Sequence, residues 1–176
     1  VKAKFPCVPK FAYGFLHGVL SECDLKADLN LQRISHGQKK KVLIAVALAT
    51  RCRLLFLDEP TNGLDIPSKS LFRKILAGSL DENQLVIIST HQVKDVENLI
   101  DKILILDGGK VIFHLPVHEI SKKVRFISST SNDIEGAIYS EAMPGGYRLM
   151  MPDGNTETEV DIELLFNAIT NGKKIE

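Results

Sequence analysis

The sequence predicts an α/β fold: a mostly parallel sheet with flanking helices, followed by a small α+β appendage. Three observations carry this expectation. "RLLFLDE" and "QLVIIST" are short, continuously apolar runs, the pattern of strands in a parallel sheet covered on both faces. Helical patterns stand before, between and after them, giving the order helix, strand, helix, strand, helix, strand. Composition then shifts after residue 116, where strand-like and turn-like segments alternate and one helical pattern closes the chain. A chain of 176 residues suits one domain with such an addition.

Taken in order, the first segments are the least regular. "FPCVP" is punctuated by Pro6 and Pro9 and reads as loop or edge. "KFAYGFLHGVLSECDLKADL" reads as one or two helices, broken by Gly14 and Gly18. Gln38 to Thr50 has a helical pattern, and alanines at 45, 47 and 49 suit a helix packed closely on most sides. Three lysines occupy its first turn, where the helix dipole prefers anions, so an anionic partner is expected there. "IPSKSLFRKILAG" is an amphipathic helix with Pro67 at its start. "QVKDVENLI" reads as a short helix. "DKILILDGGKVIFHL" reads as two strands joined by a Gly-Gly turn. "VHEISKKV" is a short helix, "RFISST" and "YRLMMP" are strands with "EAMPGG" turning between weaker segments, and "DIELLFNAITNG" is a helix stopped by Gly172.

Composition narrows the function. Lysine plus arginine equals aspartate plus glutamate, at 22 each, so no broad basic surface for nucleic acid is implied. Cys7, Cys23 and Cys52 form no CxxC pair, which argues against a structural zinc site or a disulfide scaffold and favours a reducing compartment. The longest apolar run, "VLIAVALA", is far too short to span a membrane.

The chemistry concentrates at "LLFLDEPTNGLD". Side chains at the C-terminal end of a parallel strand emerge into the ligand crevice. Asp58 emerges first, and a hard carboxylate there suits Mg²⁺ beside a nucleotide, held through water. Glu59 would point elsewhere and orient or polarise an attacking water. Pro60 turns the chain out of the sheet. The plainer alternative is that both acids cap the next helix or face solvent. His91 ends the following strand near the same crevice, where an imidazole can hold a phosphate, Glu59 or the water; otherwise it caps the helix near Gln92. Asp65 either bridges to a partner surface or caps a helix beginning at Pro67, with Gly63 serving the turn in both cases. In "SHGQ", Gly37 permits close backbone approach to a ligand, amides nearby suit phosphate oxygens, Ser35 adds a hydroxyl, and His36 adds a contact or nothing.

"ISHGQKKKVLIAVALA", "LLFLDEPTNGLD" and "IISTH", in this order, resemble the ATP-binding cassette ATPases. The first resembles their signature motif. The second resembles Walker B with the catalytic glutamate and D-loop, and His91 the switch histidine. Spacing agrees: 21 residues from Gly37 to Asp58 and 32 from Glu59 to His91. The resemblance covers about residues 30 to 115. It implies a partial P-loop NTPase-type sheet and divides the chain into a helical-subdomain remnant at 1–32, the ATPase core at 33–116 and an extension at 117–176. It also implies that Asp58 holds magnesium, Glu59 acts on the hydrolytic water, His91 contacts the γ-phosphate and Asp65 communicates between subunits. Ser35, His36, Gly37 and Gln38 would meet the ATP of a second nucleotide-binding domain in a head-to-tail dimer.

Two departures qualify the match. His36 stands where the family carries Gly, and Lys41 where it commonly carries Arg, which keeps the charge and loses the fork. No GxxxxGK[ST] occurs in these residues, so no phosphate-cradling loop is present in them. The family places that loop upstream of the helical segment. The chain therefore reads as the C-terminal half of a nucleotide-binding domain, with the N-terminal half lost, cleaved or supplied separately. Alone it is expected to be inactive, and to fold poorly or to associate with whatever completes its sheet. The implied parent is a cytoplasmic ATPase subunit, peripheral at the inner face of the cell membrane and paired with a transmembrane permease. A soluble ABC-type ATPase acting on ribosomes or DNA, or a non-catalytic regulatory fragment, are the alternatives.

Overall fold

A computed structural model describes residues 11–26, 28–130, 135–152 and 158–175. The loop expected around residues 6 to 9, and Cys7 with it, lie outside the described residues. The chain divides into two compact units at Val96 and Glu97.

In the first unit, α1 (Tyr13–Glu22) packs on α2 (His36–Ala49). Gly14 and Gly18 do not break α1. Each costs about 1 kcal/mol relative to alanine, but Leu16, Val19 and Leu20 bury one face, and that burial holds the helix. Ala45 and Ala49 are fully buried, and the Ala12 N–H reaches the Ala49 carbonyl at 2.8 Å. Leu43 on the same helix is 67% exposed, so α2 is open on one side, not packed on most sides. Beyond it, Arg51 takes a left-handed backbone (φ 52°), stacks its guanidinium over Phe15 at 4.4 Å and donates to the Ser79 carbonyl.

Strand β1 (Leu54–Asp58) pairs in parallel with β2 (Leu85–Ser89), Leu54 opposite Leu85 and Asp58 opposite Ser89. Helix α3 (Ile66–Ser79) makes the crossover and buries Phe72, Ile75 and Leu76. Parallel pairing among the described residues is confined to this pair. The expected cover on both faces is also absent: Leu54, Phe56, Leu85 and Ile87 are 48%, 66%, 58% and 42% exposed. Side chains alternate along a strand and these four share one face, so that whole face is open among the described residues. After β2 the expected helix is two 3₁₀ turns, Val93–Asp95 and Glu97–Leu99.

In the second unit, β3 (Lys102–Asp107) and β4 (Lys110–Pro116) form an antiparallel hairpin. Its turn residues Gly108 and Gly109 both have positive φ, which the Gly-Gly signal anticipates. Helix α4 (Val117–Lys123) leads to a three-stranded antiparallel sheet of β5 (Val124–Ser129), β6 (Tyr139–Met143) and β7 (Gly146–Pro152), with β7 central. Strand β6 takes in Glu141, Ala142 and Met143, the first three residues of the expected turn, which leaves Pro144 and Gly145 to make it. Helix α5 (Ile162–Thr170) ends as expected at Gly172, whose φ is 79°. Leu165, Ala168 and Met150 are completely buried. Arg148 joins strand to helix, 2.8 Å from Glu141 and 3.2 Å from Asp161 and Glu163.

Candidate functional site

The C-terminal ends of β1 and β2 bring three of the predicted residues together. Register places Asp58 opposite Ser89, and the Ser89 hydroxyl donates to Asp58 Oδ1. One residue further, the Glu59 N–H continues the ladder to the Ser89 carbonyl at 2.8 Å. Glu59 then leaves the sheet with φ 43°, a left-handed conformation unusual for a residue with a side chain. Its Oε1 accepts from the His91 backbone N–H at 2.9 Å and lies 2.6 Å from His91 Nδ1. Its Oε2 accepts from the Thr90 hydroxyl at 3.0 Å. Burial alone would raise the Glu59 pKa. The His91 ring and N–H and the Thr90 hydroxyl outweigh it, and the carboxyl lies below its ordinary value of 4.5. An ionised carboxylate accepts only, so Nδ1 is the protonated nitrogen that donates to it. Nε2 is then left to face outward on a side chain that is itself exposed.

The other predicted residues lie at two helix starts. Ser35 caps α2: its hydroxyl accepts from the Gln38 N–H at 3.2 Å, and Gln38 Oε1 accepts from the Ser35 N–H at 2.9 Å. This reciprocal box starts the helix at His36, earlier than the sequence suggests. The α2 start lies against the loop after β1. A Cβ on Gly37 would sit 3.8 Å from the Gly63 carbonyl oxygen, and one on Gly63 would sit 3.8 Å from His36 Nδ1. Asp65 caps α3, accepting from the Ser68 N–H at 3.0 Å. Its carboxyl lies below its ordinary value, first because of the Ser68 hydrogen bonds, with Lys41 adding a smaller attraction. Asp65 therefore serves a helix start.

Sequence reasoning missed Lys40, Ser89 and Thr90. Lys40 donates to the carbonyl oxygens of Glu59 and, at 2.8 Å, Asn62. With the helix starting at His36, Lys40 stands in the second turn of α2, and two carbonyl dipoles satisfy its ammonium. Ser89 and Thr90 carry no motif signal; only the parallel register brings their hydroxyls to the acids. Lys69 adds a brace from α3, 2.8 Å from Asp95 and 3.1 Å from Gln92 Oε1.

A magnesium site can be judged on its donors. Among the described residues no group of three His, Cys, Asp or Glu could cage a metal. Mg²⁺ keeps most of its waters and takes one or two carboxylates plus phosphate oxygens. Asp58 fits that need, being exposed, with Oδ1 fixed by Ser89.

A family model described as ABC transporter matches residues 16–62. An uncharacterized ABC transporter ATP-binding protein of Methanocaldococcus jannaschii is 27% identical over 137 residues, 78% of this chain and 51% of that protein. The Nod factor export ATP-binding protein I of Neorhizobium galegae is 32% identical over 96 residues, 54% of this chain and 28% of that protein. The chain thus spans about half the length of these relatives, or less. A solved structure of a protein assigned as a cobalt transport ATP-binding protein superposes with a TM-score of 0.55 at 18% identity, over 90% of this chain and 59% of the other. That likeness bears on the fold.

Proposed function

We propose that the chain is part of an ATP-binding cassette ATPase, to whose family model and relatives it is similar, and that it supplies the signature helix, acidic pair and switch histidine of a transporter's ATP-hydrolysing subunit. The observation that carries the reading is the Glu59–His91 bond at the end of a parallel strand pair. A water held between Glu59 and a phosphoryl group would be oriented by the carboxylate, with His91 Nε2 free to donate to, or accept from, the phosphate side. The lowered Glu59 pKa makes the carboxylate a weak proton acceptor, so its contribution is chiefly orientation and charge placement. Asp58 is the residue that would hold Mg²⁺, which supplies phosphate charge neutralisation when bound. Ser35, His36, Gly37 and Gln38 form a helix start whose amides suit the phosphates of a nucleotide on a second nucleotide-binding domain. Asp65, at the start of α3, sits in the loop region that would face that second domain.

No GxxxxGK[ST] occurs within these residues, so the phosphate cradle comes from residues outside them. Residues 1–32 we read as part of a helical subdomain, 33–116 as core and 117–176 as an accessory extension. Curated relatives carry names of both export and cobalt import. A shared ATPase with differing cargo is what a separate permease would produce, so the partner is a transmembrane permease and the working place the cytoplasmic membrane face. Among the described residues no helix is long and apolar enough to cross a membrane.

Mixing the chain with a complete cassette and measuring Mg-ATP hydrolysis tests the reading. Hydrolysis above that of the cassette alone, lost in Glu59→Gln, is the expected result. No change on adding the chain, or a gain that Glu59→Gln leaves intact, overturns it and favours a non-catalytic fragment.

A further inference from the structure

Lys40 has no role in the motifs that led to this site, yet its ammonium touches the site's central residue. It projects from the second turn of α2 and donates to the carbonyl oxygens of Glu59 and Asn62. The Glu59 carbonyl also accepts the Asn62 N–H at 3.3 Å, and the Glu59 N–H is bound to the Ser89 carbonyl. Both backbone groups of Glu59 are therefore held, one from β2 and the other from α2. Glu59 keeps φ 43°, which persists only when its surroundings over-determine it. The direction of its Cα–Cβ bond, and so the reach of the carboxylate to His91 and Thr90, follows from that backbone.

Lys40 makes neither of its hydrogen bonds within α2. Its charge-assisted bonds go to a loop 19 and 22 residues away, so what it stabilises is the loop. We propose that Lys40 is a positioning residue: it locks the left-handed backbone of Glu59 and so makes the aim of the Glu59 carboxylate depend on the N-terminal half of α2. This rests on the function proposed above. Under that reading, residues 35–38 meet a partner's nucleotide, and Lys40 is the link by which that contact reaches this chain's own carboxylate.

The test has two arms. In the 176-residue chain, with histidine labelled by ¹⁵N and held at pH 7, wild type should show His91 protonated on Nδ1. Lys40→Met should move the tautomer balance toward that of a free imidazole, and Lys40→Arg should retain the wild-type spectrum. Slow amide exchange at Gln38 should be the same in all three, because the Ser35 cap does not use Lys40. An unchanged His91 spectrum in Lys40→Met overturns the proposal, as does loss of Gln38 protection, which would make Lys40 a helix stabiliser only. In the mixture with a complete cassette, Lys40→Met should lower kcat at least tenfold with KM for Mg-ATP unchanged; a change in KM alone also overturns it. If Glu59→Gln leaves hydrolysis intact, the functional reading fails, while the His91 spectra still decide whether Lys40 aims Glu59.

Discussion

At the scale of single residues, Glu59 shows how a carboxylate is made into an anchor. Three donors converge on its two oxygens, and they outweigh the effect of burial. The folded pKa is lowered, so its stabilising contribution is present above the unfolded value near 4.5 and is lost as pH falls through the lower folded value. A ¹³C titration of the Glu59 carboxyl should therefore show a midpoint below 4.5. A midpoint at or above 4.5 would mean that the three donors do not hold it. Gly146 gives a steric prediction of a different kind. A Cβ there would lie 2.1 Å from the Ser129 carbonyl oxygen, a backbone atom that cannot swing away. Gly146→Ala should disrupt the pairing of β5 with β7, seen as lost amide protection at Leu149, which is paired with Ile127 in the native register.

At the scale of elements, two surfaces behave oppositely. Helix α5 is strongly amphipathic and buries Leu164, Leu165 and Ala168 completely or nearly so. Leu165→Ala should cost about 2–5 kcal/mol, the range for a leucine removed from a closed core. A urea melt should place the loss in the transition that reports the β5–β7 region. The β1–β2 pair is the reverse case: among the described residues one apolar face is open and the other is half-buried, with only Leu57 fully covered. Its sequence looks doubly buried because both alternating positions are aliphatic or aromatic. Such a face, rather than scattered apolar side chains, is what marks a surface that meets something.

At the scale of the molecule, that open face makes a prediction about association. Leu54, Phe56, Leu85 and Ile87 form one exposed apolar surface, and its burial is favoured by about 25 cal/mol per Å². By size exclusion the chain should elute above its 19.5 kDa mass, and more so at higher concentration. Phe56→Lys combined with Ile87→Glu should return it toward that mass. A rigid monomer, indifferent to the double change, would show that the face needs no cover.

Much of the site is legible in the order of residues. Asp58, Glu59 and His91 can be picked out because strand ends next to turn residues carry a pattern in sequence, and local patterns need only near neighbours. The sequence leaves Asp65 between two uses, and the geometry shows it capping α3, a contact three residues long. Gly14 and Gly18 mislead, because propensity is a weak preference that packing against α2 overrides.

The sequence by itself determined the order of α2, β1, α3 and β2, the turns at Gly108, Gly109 and Gly172, and which acids stand at the end of the first strand. Each follows from backbone preference and apolar periodicity, which act over a few residues. Only the tertiary structure decided that Ser89 meets Asp58, that Thr90 and His91 grip Glu59, that Lys40 holds its carbonyl, and that one sheet face stays open among the described residues. Those facts depend on strand register and helix placement across 19 to 32 residues of chain, distances over which no local preference reaches.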